Sequence, residues 1–152
     1  MKSKNLIKVL ITSFVLSLAA TAYAEQLTMA RTTQTFPEAM ASLQETIVKF
    51  DYKVSRVQRI DIGLTKSGYL TDKYRIVFFG KEDEVKFISE KYPHLIPYIP
   101  WKISIFAEQE NTLLVTANPM QFSDKKYPGA DKFLLKWKND IEKIFSVVRD
   151  SD

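Results

Sequence analysis

Apolar and polar positions alternate or recur along this chain in ways that set out its elements. Leu27 to Thr33 alternates, with Leu27 and Met29 on one side and Thr28 and Thr32 on the other, which predicts a half-buried strand. Thr35-Phe36-Pro37-Glu38 then opens a helix, with Thr35 at the cap, Pro37 in the first turn and Glu38 at the reciprocal position of a capping box. Phe36, Met40, Leu43, Ile47 and Phe50 follow at helical spacing, predicting one apolar face over about 36–51. Strand chemistry resumes over 52–62, but the alternation slips between Val54 and Val57, which predicts a bulge or a strand end there. Residues 61–71, with Gly63 and Gly68, read as a loop with room for one helical turn.

Tyr74-Arg75-Ile76-Val77-Phe78-Phe79 is apolar on both faces, as expected of a central strand covered on each side. Lys81 to Lys91 carries Glu82, Asp83 and Glu84 at its start and lysines later, which complements a short helix's dipole. Pro93, Pro97 and Pro100 exclude a long helix over 92–101. Trp101 to Glu108 alternates cleanly, Gln109-Glu110-Asn111 forms a turn, and Thr112 to Asn118 returns as the hairpin partner. Phe133, Trp137, Ile141, Ile144, Phe145 and Val148 stripe a last helix over about 130–148; its mixed-charge opposite face favours core packing over a membrane surface. The order predicts a single α+β domain over 25–152: a two-layer sandwich with an antiparallel-dominated sheet of about four to five strands and two to three helices.

Met1 to Ala24 has a different pattern. Lys2, Lys4 and Lys8 precede or interrupt an apolar run that ends at Ala22-Tyr23-Ala24, the form of a secretory signal peptide with cleavage before Glu25. The run is short for a transmembrane span, so no stable membrane insertion is expected after cleavage, and the periplasm or the exterior is the expected location. Charge changes meaning with this reading. The 152 residues carry 22 Lys and Arg against 18 Asp and Glu, a formal +4. Without the three leader lysines the balance is 19 against 18, which offers nucleic acid no electrostatic footprint. With no cysteine and one histidine, the chain can form no disulfide, thiolate nucleophile, Cys-type zinc site or His-rich metal centre. No glycine-rich phosphate loop is present, and no cofactor is expected.

Several pieces, taken in order, resemble a known family. They are Tyr52-Lys53-Val54, Ile60-Asp61, Tyr74 to Gly80 ending in Phe-Gly, Leu95-Ile96-Pro97-Tyr98-Ile99-Pro100, Trp101 to Glu108, and Thr116-Ala117-Asn118-Pro119-Met120. Over about 35–122 the chain resembles the domain of unknown function 302 family. The resemblance implies a small α+β fold and a tendency to form homodimers, but no activity. Many members have Asn-Pro after the Phe-Gly, where this chain has Lys81-Glu82, and often a His after the early Ile-Asp, where Ile62 stands. The last helix lies beyond the clear resemblance.

Candidate chemistry is sparse. His94 sits in the proline-rich segment; as a general base in a hydrolase-like enzyme it needs an orienting carboxylate and a nucleophile, and otherwise it is a structural histidine. Glu82, Asp83 and Glu84 diverge on a helix and read as a solvated first turn. The best candidate surface is the second face of the sheet, on which the alternation places Lys102, Ser104, Phe106, Glu108, Leu114, Thr116 and Asn118. Three occupants fit it: a small molecule oriented by Lys102, Glu108, Asn118 or His94, a second copy meeting Phe106 and Leu114, or the last helix of the chain itself. Arg75 is an anion contact available to either. The leading expectation is an exported, non-enzymatic binding or interaction module that self-associates.

Overall fold

The computed structural model describes residues 26–151; the leader reading falls outside them. The elements follow the sequence order: β1 (Leu27–Thr32), α1 (Phe36–Lys49), β2 (Lys53–Arg59), α2 (Ile60–Lys66), β3 (Tyr74–Gly80), α3 (Glu82–Lys91), β4 (Trp101–Glu108), β5 (Asn111–Ala117) and α4 (Asp131–Arg149). Short 3-10 turns at Pro93–Tyr98, Pro119–Phe122 and Pro128–Ala130 join the later ones. The strands form one five-stranded sheet in the order β1-β5-β4-β3-β2, antiparallel at every pairing. This is the predicted two-layer α+β class, with a wholly antiparallel sheet. Among the described residues, no helix is long and apolar enough to cross a membrane.

Helix α1 starts as its sequence predicts. The Thr35 N–H donates to the Glu38 carboxylate at 3.0 Å, and the Thr35 hydroxyl to the same oxygen at 2.6 Å. The β2–β3 register shifts between Val54 and Arg56, the bulge that the slipped alternation foretold. The segment read as loop instead contains α2, whose seven residues cap the β2–β3 connection; its Asp61 pairs with Arg75 and fixes it there. Among the described residues that helix is the one addition to the predicted helices; the short helix expected over 81–91 is α3.

One side of the sheet carries the core. Val77, Phe79, Trp101, Ile103, Ile105 and Leu114 are buried there against Leu43 and Ile47 of α1 and Leu134, Trp137, Ile141, Ile144 and Phe145 of α4. The α4 stripe is therefore core packing, as its mixed-charge outer face implied.

Candidate functional site

No described helix covers the second side of the sheet. Register places Lys102, Ser104, Phe106 and Glu108 of β4 beside Tyr74, Ile76 and Phe78 of β3 and Leu113 and Val115 of β5. Met29 of β1 stands opposite Val115, and Leu27 opposite Ala117. None of the apolar residues in this band belongs to the core or packs against it. Met29 is 61% exposed and Leu27 48%. The rings of Tyr74 and Phe106 meet edge to face at 6.0 Å in its middle. So β3 is apolar on both faces, but a helix covers only one of them, contrary to the expectation for a central strand.

Charges mark the rim of the band. Arg31 Nε donates to Glu108 Oε2 at 2.6 Å, and this hydrogen bond holds the Glu108 carboxyl below its ordinary range. Lys102 is exposed, opposite Phe78, and Arg56 follows on the other side of Phe78. The surface has an apolar floor, one ion pair at one end and cations at the other.

Four of the sequence-predicted residues lie elsewhere. Leu114 is fully buried on the helix side, opposite Ile105, and Thr116 lies on that side too. The expected face therefore held three residues of the wrong parity, Leu114, Thr116 and Asn118; Leu113, Val115 and Ala117 take their places. The reason is the turn. Gln109 adopts φ 54°, and the register sets Glu108 opposite Asn111, which fixes β5 one residue out of phase with the assumed pairing. Arg75 also faces the helices: its guanidinium pairs with Asp61 and lies 5.8 Å from the Phe36 ring centre, so it does not serve the open face. Asn118 caps the turn after β5, its side-chain oxygen accepting from the Met120 N–H at 3.0 Å.

His94 sits in an aromatic stack instead of a polar site. Its ring lies parallel to Tyr127 at 4.4 Å and edge-on to Tyr92 at 6.4 Å. Both ring nitrogens are buried with no hydrogen-bond partner, so no carboxylate orients the imidazole. The chemistry expected of a general base is missing from this histidine's surroundings.

A polar cluster that the sequence did not indicate joins the α1–β2 connection to α3 and α4. The Tyr52 hydroxyl donates to Asp140 at 2.6 Å and accepts from Lys136 Nζ at 3.0 Å. Lys136 also meets Glu84 at 3.1 Å, and the Trp137 indole N–H donates to Glu84 at 2.9 Å. Burial, then the hydrogen bond to Asp140, pushes the Tyr52 hydroxyl well above its usual value. Burial opposes the charge on Lys136, but its bonds to Tyr52 and Asp140 prevail and raise it. Glu84 is thus tied inward, and the acidic first turn of α3 is only partly solvated. Beside the cluster, Asp51, Tyr52, Lys81 and Glu82 line a cleft of about 520 Å³, across which Lys81 pairs with Asp51 at 2.9 Å. The one sequence signal was the Lys136–Asp140 spacing of one helical turn; the partners lie 84 and 88 residues away. Among the described residues no group of three or more His, Asp or Glu is placed to hold a metal.

The fold and its surface define a small α+β protein with a one-sided sheet and no assembled catalytic constellation among the described residues. Residues 28–147 match the family described as domain of unknown function DUF302, and the chain belongs to that family. The match takes in α4, beyond the 35–122 span on which the sequence resemblance rested. The fold is similar to the crystal structure of the uncharacterized conserved protein DUF302 from Bacillus stearothermophilus, with a TM-score of 0.64 at 16% identity, covering 82% of this chain and 95% of that one. No curated protein matches the chain. Ile62 and Lys81, the two departures from the family pattern, stand at opposite ends of β3, so they do not share one site.

Proposed function

We propose that the protein is an exported, non-enzymatic interaction module that self-associates through the uncovered side of its sheet. The observation that carries this reading is the apolar band of Met29, Ile76, Phe78, Phe106, Leu113 and Val115, which, among the described residues, neither belongs to the core nor packs against it. A second copy is the fitting occupant on grounds of size. Five strands at about 4.8 Å spacing and about 23 Å length give a face of roughly 550 Å², so two copies bury about 1,100 Å², above the ~1,000 Å² that a specific contact needs. The rim supports it as well: the Arg31–Glu108 pair offers one charge of each sign to a symmetric neighbour. The leader pattern supports export.

Small-molecule binding on this face has less support, because the larger clefts lie elsewhere and Glu108 is already held by Arg31. Enzymatic use of His94 has less still, since its ring nitrogens meet no partner. Sedimentation velocity on the wild type and Phe106→Glu is the test. The wild type is expected to associate at micromolar concentration, with Phe106→Glu weakening association at least tenfold at unchanged circular dichroism. A wild type that stays monomeric at high micromolar concentration would falsify the reading.

A further inference from the structure

The sheet is open, so it has two edge strands, and they are unlike. Edge β2 has a bulge and carries Lys53, Arg56 and Arg59, the devices by which sheets discourage pairing. Edge β1 has no bulge and a single charge. Its six residues pair with β5 in unbroken register, and its one charge, Arg31, is bonded to Glu108 on the open face.

The hydrogen-bond phase of β1 follows from one contact. The Asn118 N–H donates to the Gln26 carbonyl at 2.8 Å, next in register after Leu27 and Ala117, so these two form a bonded pair. Bonded pairs alternate in an antiparallel ladder. Thr28, Ala30 and Thr32 therefore spend their peptide groups on β5, while Leu27, Met29 and Arg31 turn theirs to the free edge.

We propose that β1 is a pairing strand that joins antiparallel to β1 of a second copy, centred on Met29. This rests on the self-associating reading above but uses a different contact. Centred there, Met29 meets the Met29 of the second copy, and Leu27 meets its Arg31. All outward N–H and C=O groups of the three residues are then used, with no residue left over. The two Arg31 side chains lie at opposite ends of the seam, so the pairing sets no like charges side by side. No other register about a two-fold engages all three residues. The five-stranded sheets join into one continuous sheet, and the two apolar faces become a single wider floor. Where its two-fold axis meets that of the face-to-face contact at right angles, the edge contact closes a four-copy assembly.

The test measures amide hydrogen exchange and sedimentation on the full chain, expressed with its own N-terminal segment, as wild type, Met29→Pro and Phe106→Glu. Proline at position 29 removes an outward donor and no bond to β5, and edge strands tolerate it. The expected result is a four-copy wild type that Met29→Pro reduces to two copies. In the wild type the Leu27, Met29 and Arg31 amides should exchange at least tenfold more slowly than in dilute, dissociated protein. This second readout needs no variant, so a Met29→Pro chain that fails to fold leaves the question open to measurement. An assembled wild type whose Leu27, Met29 and Arg31 amides exchange at open-strand rates overturns the edge contact and leaves the face contact standing. Dissociation by Met29→Pro but not by Phe106→Glu supports the edge and overturns the face. A monomeric wild type overturns both.

Discussion

Arg75 shows how a residue's chemistry is decided by the side of a strand it occupies. Read from sequence, it is a free cation on a hydrophobic strand. In the fold it stands opposite Ile105 on the helix side, with its guanidinium and the Asp61 carboxylate each about one-seventh exposed (15% and 14%). The Arg75 hydrogen bond holds the Asp61 carboxyl below its ordinary value. A carboxyl depressed in the folded state stabilises the fold above its unfolded value and loses that contribution as pH falls through the folded one. Asp61→Asn is therefore expected to cost about 1.5–3 kcal/mol at neutral pH, the value of a hydrogen bond to a charged partner. The gap to the wild type should close as pH falls below about 4, the range in which an unfolded aspartate protonates. Urea denaturation of both proteins at pH 7 and pH 3 measures it; an undiminished gap at pH 3 would show that the pair contributes through packing and not through charge.

Among the elements, the helices and strands were legible because each declares itself within about ten residues. The stripe of α4, the capping box of α1 and the alternation of β4 are local patterns whose period matches the backbone geometry. Even the β2 bulge left a local trace, in the slipped spacing of Val54 and Val57. The hairpin phase was not legible, because it depends on the turn's backbone angles and not on either strand. That single unknown moved Leu114 from the open face to the core and brought Leu113 out. The pair now makes a sharp test. Leu114→Ala should destabilise by about 2–5 kcal/mol, as for a fully buried leucine, while Leu113→Ala should cost less than about 1 kcal/mol in the monomer and weaken self-association instead. Chemical denaturation beside sedimentation distinguishes them, and equal costs would mean the phase is wrong. The Tyr52 cluster was hidden for a related reason. It joins two helices and the connection after α1, far apart in sequence, and no short spacing encodes such a meeting.

For the whole molecule, absent cysteines gain weight if the chain is exported. The core then depends on packing, with Trp101 and Trp137 in contact at 4.9 Å and the α4 stripe filling the layer beneath the sheet. Export makes its own prediction: protein recovered from outside the cytoplasm should begin at Glu25, and intact mass spectrometry reads this directly. A mass that retains residues 1–24 would make the leader an anchor. The topology adds a matter of timing. The first strand pairs with the last, β1 with β5, and Gln34, just after β1, reaches the far end of α4, its amide donating to the Val148 carbonyl at 2.8 Å. Contacts so distant in sequence form late, since the intervening chain must be ordered before they are rewarded. A polypeptide delivered from its N-terminus thus presents β1 with both edges bare until nearly all of the remainder has followed. The seam between β1 and β5 is where the native sheet closes last, and where a chaperone that holds an extended segment would have the most time to act.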